Sequence, residues 1–156
     1  MSNLKTRVPP SAFHHGGVAT IRIRRRGAAG KYQIWARARN PERWPEWAPL
    51  RGVLADGPLR PGLEGELVLA LGLRVRFEVL EADQEPGGFT WVLGSGWARL
   101  RIEQEVAEGL AGAVLSGSAP IVLLAAPVAG AALARLVAPA RPISGSRPRR
   151  ARRSAS

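Results

Sequence analysis

The sequence predicts one α+β domain built from a strand, two short helices, a series of antiparallel strands and a closing helix. Three observations lead to this prediction. Apolar and polar residues alternate in several strand-length runs, apolar residues recur at helical spacing after the first run, and a long apolar segment lies near the C-terminus. A chain of 156 residues fits about one domain and is long enough to bury a core.

Composition excludes several classes of site. The chain has no cysteine, so it has no disulfide, no thiol nucleophile and no thiolate metal site. The net charge of the chain is +11. Six of these charges come from six arginines in residues 141–156, which contain no acidic residue, so residues 1–140 carry +5. This tail, rich in Pro, Ser and Arg, is too poor in apolar residues to fold alone and is predicted to be disordered.

The N-terminal stretch "MSNLKTRVPPSAFHHGG", residues 1–17, is predicted to be a flexible segment. It carries positive charge but no continuous apolar run, which argues against a secretory signal. We therefore expect a cytoplasmic protein whose folded domain spans residues 18–140.

The first predicted strand is "VATIRIRRR", residues 18–26, where Ile21 and Ile23 alternate with arginines. Glycines 27 and 30 end it. A short helix is expected next, because Tyr32, Ile34 or Trp35, and Ala38 recur at helical spacing.

A second short helix is predicted from Pro41 to Trp47. Asn40 suits the N-cap and proline suits the first turn of a helix. Pro49 prevents the helix from continuing, and Pro45 limits its length.

Five strand-length runs follow, separated by Gly, Pro and Asp. They are "LEGELVLALG", "LRVRFEVLEAD", "GGFTWVLG", "WARLRIEQEVA" and "GLAGAVLSGSA". In the second run Val75, Phe77 and Val79 alternate with charged residues, and in the fourth run Leu100 and Ile102 do the same. One apolar and one polar face per strand is typical of antiparallel sheets.

The apolar segment from Pro120 to Ala140 is long enough to raise the possibility of a membrane span. Pro127, Gly130, Arg135 and the weakly hydrophobic alanines argue against it. We expect a helix of about three turns, from Pro127 to Val137, covering the apolar face of the sheet.

The ordered set of motifs resembles a known family. "NPERWPEWAPL" resembles the segment after the first strand in the polyketide cyclase/dehydrase-like branch of the START-like superfamily (SRPBCC), where a Trp-Pro-x-Trp-type motif occurs. "GPLRPGLEGEL", "RVRFEVLEAD" and "GGFTWVLGSG" are similar to the strands that follow it. The resemblance covers residues 19–136 and implies a helix-grip fold, a curved antiparallel sheet wrapped around a C-terminal helix with an apolar cavity between them.

Two features depart from that family. The first strand ends in "RRRGAAGKYQIW" rather than in an Ala-Pro step, so the mouth of the cavity is expected to differ. Interruption by Pro127 and termination by Pro139 and Pro142 are expected to make the C-terminal helix shorter than is usual in the family and to leave the cavity more open.

The resemblance implies binding of a small hydrophobic ligand of lipid or polyketide/aromatic type. Trp44 and Trp47 would close one end of the cavity, with packing as the competing interpretation of both. Gln104 is the one polar side chain expected to point inward, either to orient a ligand carbonyl or hydroxyl or to lie past the cavity edge. The candidate cavity residues are Trp44, Trp47, Val75, Phe77, Phe89, Trp91, Leu100, Ile102 and Gln104.

Catalytic and metal-binding residues are scarce in the sequence. His14 and His15 are the only histidines and have no carboxylate at a ligand spacing, so no metal site is predicted. The pairs Glu64/Glu66 and Glu103/Glu105 are more typical of a solvated strand face than of an acid/base pair. No glycine motif for a nucleotide is present, and no cofactor is predicted.

Two further functions remain open at this stage. One is a cyclase or dehydratase that uses the same cavity to fold a reactive chain. The other is binding of nucleic acid or an anionic membrane through the basic tail and "RIRRR", for which a solubilising disordered end is the simpler interpretation. Trp97 is expected either to follow a bulge near Gly96 or to pack over an arginine stem.

Overall fold

The structure is a computed structural model that describes residues 17–139. The predicted N-terminal segment, with His14 and His15, and the predicted disordered tail lie outside these residues, apart from Gly17.

The domain is one seven-stranded antiparallel sheet with two α-helices, a 3₁₀ helix after α1, and two three-residue 3₁₀ turns, Ala70–Gly72 and Gly96–Ala98. The elements are β1 Val18–Arg26, α1 Lys31–Arg39, the 3₁₀ helix Pro41–Glu46, β2 Gly52–Ala55, β3 Glu64–Val68, β4 Arg74–Ala82, β5 Gly88–Leu93, β6 Leu100–Ala107, β7 Leu110–Ser118 and α2 Ala119–Leu136. The strand order is β1-β7-β6-β5-β4-β3-β2, so α1 and the 3₁₀ helix connect one edge of the sheet to the other. This is the predicted helix-grip α+β fold.

Strict alternation along the strands directs one face of the sheet inward. In β6 the buried residues Leu100, Ile102, Gln104 and Val106 alternate with exposed ones. Helix α2 packs on this inner face, mainly against β1 and β7. The core therefore lies between the sheet and α2, with α1 and the 3₁₀ helix enclosing one side.

Strand β2 was not predicted. It is a four-residue edge strand, "GVLA", which is too short for alternation to be recognised and which starts at a glycine. It pairs only with β3, from Gly52 opposite Val68 to Ala55 opposite Gly65. Strands this short depend on pairing that a local pattern does not contain.

Helix α2 is longer than predicted, because it begins at Ala119 rather than at Pro127. Pro127 lies inside the helix, where its missing N–H leaves the carbonyl of Leu123 without a helical partner. Both residues are exposed, so water can satisfy that carbonyl. The expectation that Pro127 shortens the helix is therefore wrong.

By length and composition alone, α2 could cross a bilayer. In the fold its buried residues are Val122, Gly130, Ala132, Leu133 and Leu136, so its second half is the more deeply packed. Gly27 permits that close packing, because a Cβ there would overlap the carbonyl oxygen of Val137.

Candidate functional site: an apolar cavity under helix α2

A cavity of about 390 Å³ lies between the inner face of the sheet, the 3₁₀ helix and α2. Its walls are almost entirely hydrocarbon. The sheet contributes Leu67, Val75, Trp91, Leu100, Ile102 and Leu115, and α2 contributes Ile121, Leu124, Ala125, Val128 and Leu133. The volume is within the range of small-molecule sites, roughly 300–1,000 Å³.

Seven of the nine candidate cavity residues lie on this wall. They are Trp44, Trp47, Val75, Trp91, Leu100, Ile102 and Gln104. Phe77 and Phe89 do not line it, contrary to expectation, although both point inward and are buried. Trp44 packs against Phe77 at 5.3 Å between ring centroids, and Trp35 packs against Phe89 at 6.2 Å. Alternation correctly predicted that both side chains face the core. It could not predict that Trp44 and Trp35 pack against them.

Trp44 and Trp47 both pack and line the cavity. The indole N–H of Trp44 donates to the carbonyl of Ala38 at 2.7 Å, and that of Trp47 donates to the carbonyl of Arg37 at 3.2 Å. These bonds fix the 3₁₀ helix to the last turn of α1. Trp44 also contacts Trp91 at 4.9 Å between centroids, which joins this helix to the sheet. Neither N–H is therefore free to bind a ligand.

Gln104 is the one polar side chain on the wall formed by the described residues. It is buried, and its Oε1 accepts a 2.8 Å hydrogen bond from the indole N–H of Trp91. An indole N–H can only donate, so the amide oxygen must face Trp91 and the NH₂ group must point elsewhere. No described residue accepts a hydrogen bond from that NH₂ group. In the otherwise apolar wall, the NH₂ group of Gln104 is therefore the group that can donate a hydrogen bond to a ligand.

No Asp, Glu, Lys, Arg, His or Tyr from residues 17–139 lines the cavity. The glutamates considered as acid/base pairs lie on the outer face of the sheet, where Glu66 pairs with Arg74, Glu103 with Arg101, and Glu105 with Arg24. Within the same residues, no group of three potential metal ligands comes together.

The charged side chains near the 3₁₀ helix do not line the cavity. Arg43 donates to both carboxylate oxygens of Glu46, which raises the pKa of Arg43 and lowers that of Glu46. Burial lowers the pKa of Arg37, whose guanidinium donates to carbonyls at the C-terminus of α2. These interactions stabilise the helices around the cavity, and their charged groups would not contact a ligand inside it.

The first half of α2 supplies wall residues that the sequence analysis missed. Ile121, Leu124, Ala125 and Val128 follow helical spacing, and this signal would have identified them had the helix been extended before Pro127. Pro49 and neighbours from the loop before β2 complete that side.

Trp97 takes neither of its two expected positions. It lies in a short 3₁₀ turn, Gly96–Ala98, before β6 begins at Leu100, and its side chain is 80% exposed. The turn departs from the strand at Gly94 and Gly96, which both have positive φ.

Solved structures share this architecture. Similar ones include Ara h 8.0201, a Bet v 1-like protein of START/SRPBCC-type fold (TM-score 0.62, 10% identity, covering 78% of this chain and 96% of that one). Protein NE0264 from Nitrosomonas europaea has a TM-score of 0.59 and 17% identity, covering 76% of this chain and 91% of that one. Protein CV1439 from Chromobacterium violaceum has a TM-score of 0.56 and 16% identity, covering 76% and 94%.

No protein-family model matches the chain, and no curated protein matches it in sequence. At such low identities the structural likeness establishes the fold alone.

Proposed function

We propose that this protein binds one uncharged, largely apolar small molecule, of lipid or aromatic polyketide type, in the cavity under α2. The observation that carries the proposal is a cavity of about 390 Å³ whose described wall contains one polar side chain, Gln104. Burial of apolar ligand surface would drive binding at roughly 25 cal/mol per Å². A carboxylate or phosphate on the ligand would enter without a counter-charge, which is costly in an apolar site.

The NH₂ group of Gln104 narrows the ligand class further. The oxygen of Gln104 accepts from Trp91 while its NH₂ group has no described partner, so a ligand with a carbonyl, hydroxyl or ether oxygen at that point would match it. One such bond contributes about 1 kcal/mol, which sets orientation more than affinity.

The polyketide cyclase/dehydrase-like branch is part of this proposal and is supported by the resemblance of "NPERWPEWAPL" and the strands after it. A cyclase or dehydratase that relied on acid/base chemistry would need a titratable group beside the ligand. None of the described wall residues is titratable, which favours binding over catalysis.

Native mass spectrometry of the full chain, mixed with a pool of neutral lipids and aromatic polyketides, tests the proposal when Ala113→Leu is compared with wild type. Ala113 lines the cavity and is the register partner of Gln104 on β7, so a larger side chain there would occupy the binding space. We expect a bound mass in the wild type and at least about tenfold weaker binding in Ala113→Leu, equivalent to about 1.4 kcal/mol.

Val114→Leu is the matched control, because Val114 is the next residue on β7 and faces the other side of the sheet. It should bind like the wild type. If the wild type binds nothing from the pool, or if Ala113→Leu binds as well as Val114→Leu, the cavity is not the binding site.

A further inference from the structure

The cavity opens at one end of the molecule. Leu124 and Val128 of α2 both line the cavity and are exposed, so the mouth lies beside the first half of this helix. Leu69 lines it from the β3–β4 loop, and Ala98 lines it from the β5–β6 loop. Two hairpin tips and a half-helix therefore surround the mouth.

Pairing of the strands places these segments at the same end of the sheet. The β3–β4 ladder ends at Val68 opposite Arg74, and the β5–β6 ladder begins at Leu93 opposite Leu100. Phe77 pairs with Leu93, which brings the two hairpin tips side by side. Leu100 also pairs with Gly117, so α2 starts at this end.

Large apolar side chains project into solvent around the mouth. This mouth surface consists of Leu71, Leu73, Trp97, Leu123, Leu124 and Val128. Leu71 is 98% exposed and Trp97 is 80% exposed. Isolated exposed apolar residues are normal, but a group of six around one opening marks an interaction surface.

Leu71 occupies a backbone position that opposes leucine. Its φ is 63°, and Gly72 beside it has a φ of 75°. Consecutive positive φ values favour Asn-Gly or Gly-Gly in a hairpin loop. A leucine here is strained and forms no compensating core contact, so packing of the folded domain does not account for it.

The charges at this end complement an anionic partner. Residues 47–51, 69–74, 94–99 and 117–128 contain Arg51, Arg74 and Arg99 and no acidic residue. Arg74 pairs with Glu66 of β3, whereas Arg51 and Arg99 pair with no described residue. The hairpins at the opposite end carry acidic residues, at 83, 85 and 108.

We infer that the mouth surface docks on the surface of an anionic lipid bilayer. Trp at the headgroup level, leucines just below it and arginines around them match the layered polarity of a membrane interface. Arginines near such a surface are attracted to its anionic headgroups. Docking would bring the open cavity against the bilayer, where an uncharged apolar molecule could enter or leave without crossing water.

Vesicle flotation of the full chain without ligand tests the inference, independently of ligand binding. The probe is phosphatidylcholine vesicles with and without phosphatidylglycerol, and the variant is Leu71→Gly/Trp97→Ala. Leu71→Gly relieves the backbone at a positive φ, so the fold should be at least as stable as that of the wild type. Tyr32→Ala is the matched control, because Tyr32 is exposed on α1 at the opposite end.

We expect the wild type to bind phosphatidylglycerol vesicles, and to bind less as salt rises. Removing two apolar anchors should weaken binding at least about tenfold, and Tyr32→Ala should have no effect. Trp97 is the one exposed tryptophan of five, so brominated phosphatidylcholine in the vesicles should quench its emission selectively.

Three results would overturn the inference. The double variant could bind as tightly as the wild type, which would assign the affinity to charge elsewhere in the chain. The wild type could fail to bind the vesicles. A concentration-dependent dimer abolished by the double variant would identify the mouth surface as an interface between two copies.

Discussion

At the residue scale, the hydrogen bond between Trp91 and Gln104 determines the polarity of the cavity. The carbonyl oxygen of Gln104 is committed to the indole, which leaves a donor facing hydrocarbon. Substituting Gln104 alone would leave a buried indole N–H without an acceptor, at a cost of about 1–3 kcal/mol. Removing both partners avoids that cost and separates ligand recognition from folding.

We predict that Trp91→Phe/Gln104→Leu folds but loses discrimination between a ketone and the hydrocarbon of the same skeleton. The ratio of the two affinities should fall about fivefold, since one hydrogen bond contributes about 1 kcal/mol. Competition binding by native mass spectrometry measures this ratio. Gln33→Leu, the same change on an exposed position of α1, should leave it unchanged. An unchanged ratio in the double variant would mean that Gln104 does not contact the ligand.

The residue types predicted that the aromatic side chains of the candidate site lie together, but not which of them line the cavity. Trp44, Trp91 and Phe77 were all expected at the cavity, and all three lie in one cluster. Which ring lies in front depends on the approach of the 3₁₀ helix to the sheet. That approach is set by hydrogen bonds to the carbonyls of residues 37 and 38, which carry no side-chain signal in the sequence.

At the element scale, α2 is held at its C-terminal end. Arg37 of α1 donates to the carbonyls of Arg135, Leu136 and Ala138, in the last turn and just past the end of α2, where carbonyl groups lack i+4 helical partners. The N–H of Ala29 donates to the carbonyl of Val137. A cation at a helix C-terminus also interacts favourably with the helix dipole.

We predict that Arg37→Ala lowers the free energy of unfolding by about 2 kcal/mol, because hydrogen bonds from a charged donor contribute about 1.5–3 kcal/mol. Urea unfolding followed by tryptophan fluorescence measures the change. Arg39→Ala, which removes an exposed arginine two residues along α1, should change stability by less than about 0.5 kcal/mol. Equal effects of the two substitutions would contradict a capping role for Arg37.

The boundaries of elements show where local patterns fail. β1 was predicted with its observed limits, because alternation and flanking glycines agree. α2 was predicted to begin eight residues too late, because a proline inside a helix normally disrupts it when the lost hydrogen bond cannot be replaced. Here Leu123 and Pro127 are both exposed, so water can replace that bond, and their exposure follows from the tertiary fold rather than from the local sequence.

At the scale of the whole molecule, the sequence patterns predicted the order of the elements other than β2, and the family resemblance implied the helix-grip architecture. They did not predict that the chain crosses to the far edge of the sheet and adds β2 there. They also did not predict the mouth, which forms from two hairpin loops and a half-helix far apart in sequence. Contacts of this kind depend on sheet curvature and pairing register, which alternation alone does not specify.

The resulting domain has one fixed end and one open end. Four of the five buried residues of α2 lie from Gly130 onward, close to the anchors at its C-terminus. Its first half carries exposed Leu123, Leu124 and Val128 and contains the unpaired carbonyl that precedes Pro127. Local stability follows buried contacts and intact hydrogen bonds, so the two halves should open with different free energies.

We predict that backbone amides in residues 121–126 exchange with solvent deuterium at least about tenfold faster than those in residues 131–136. A cavity ligand should slow the first group more, because Ile121, Leu124 and Ala125 would gain contacts there, whereas Ala132 and Leu133, which also line the cavity, are already buried. Hydrogen exchange with mass spectrometry, with and without the bound molecule, measures both effects. Uniform exchange along α2, or equal protection of both halves by ligand, would mean that the helix moves as one rigid body and that ligands enter by another route.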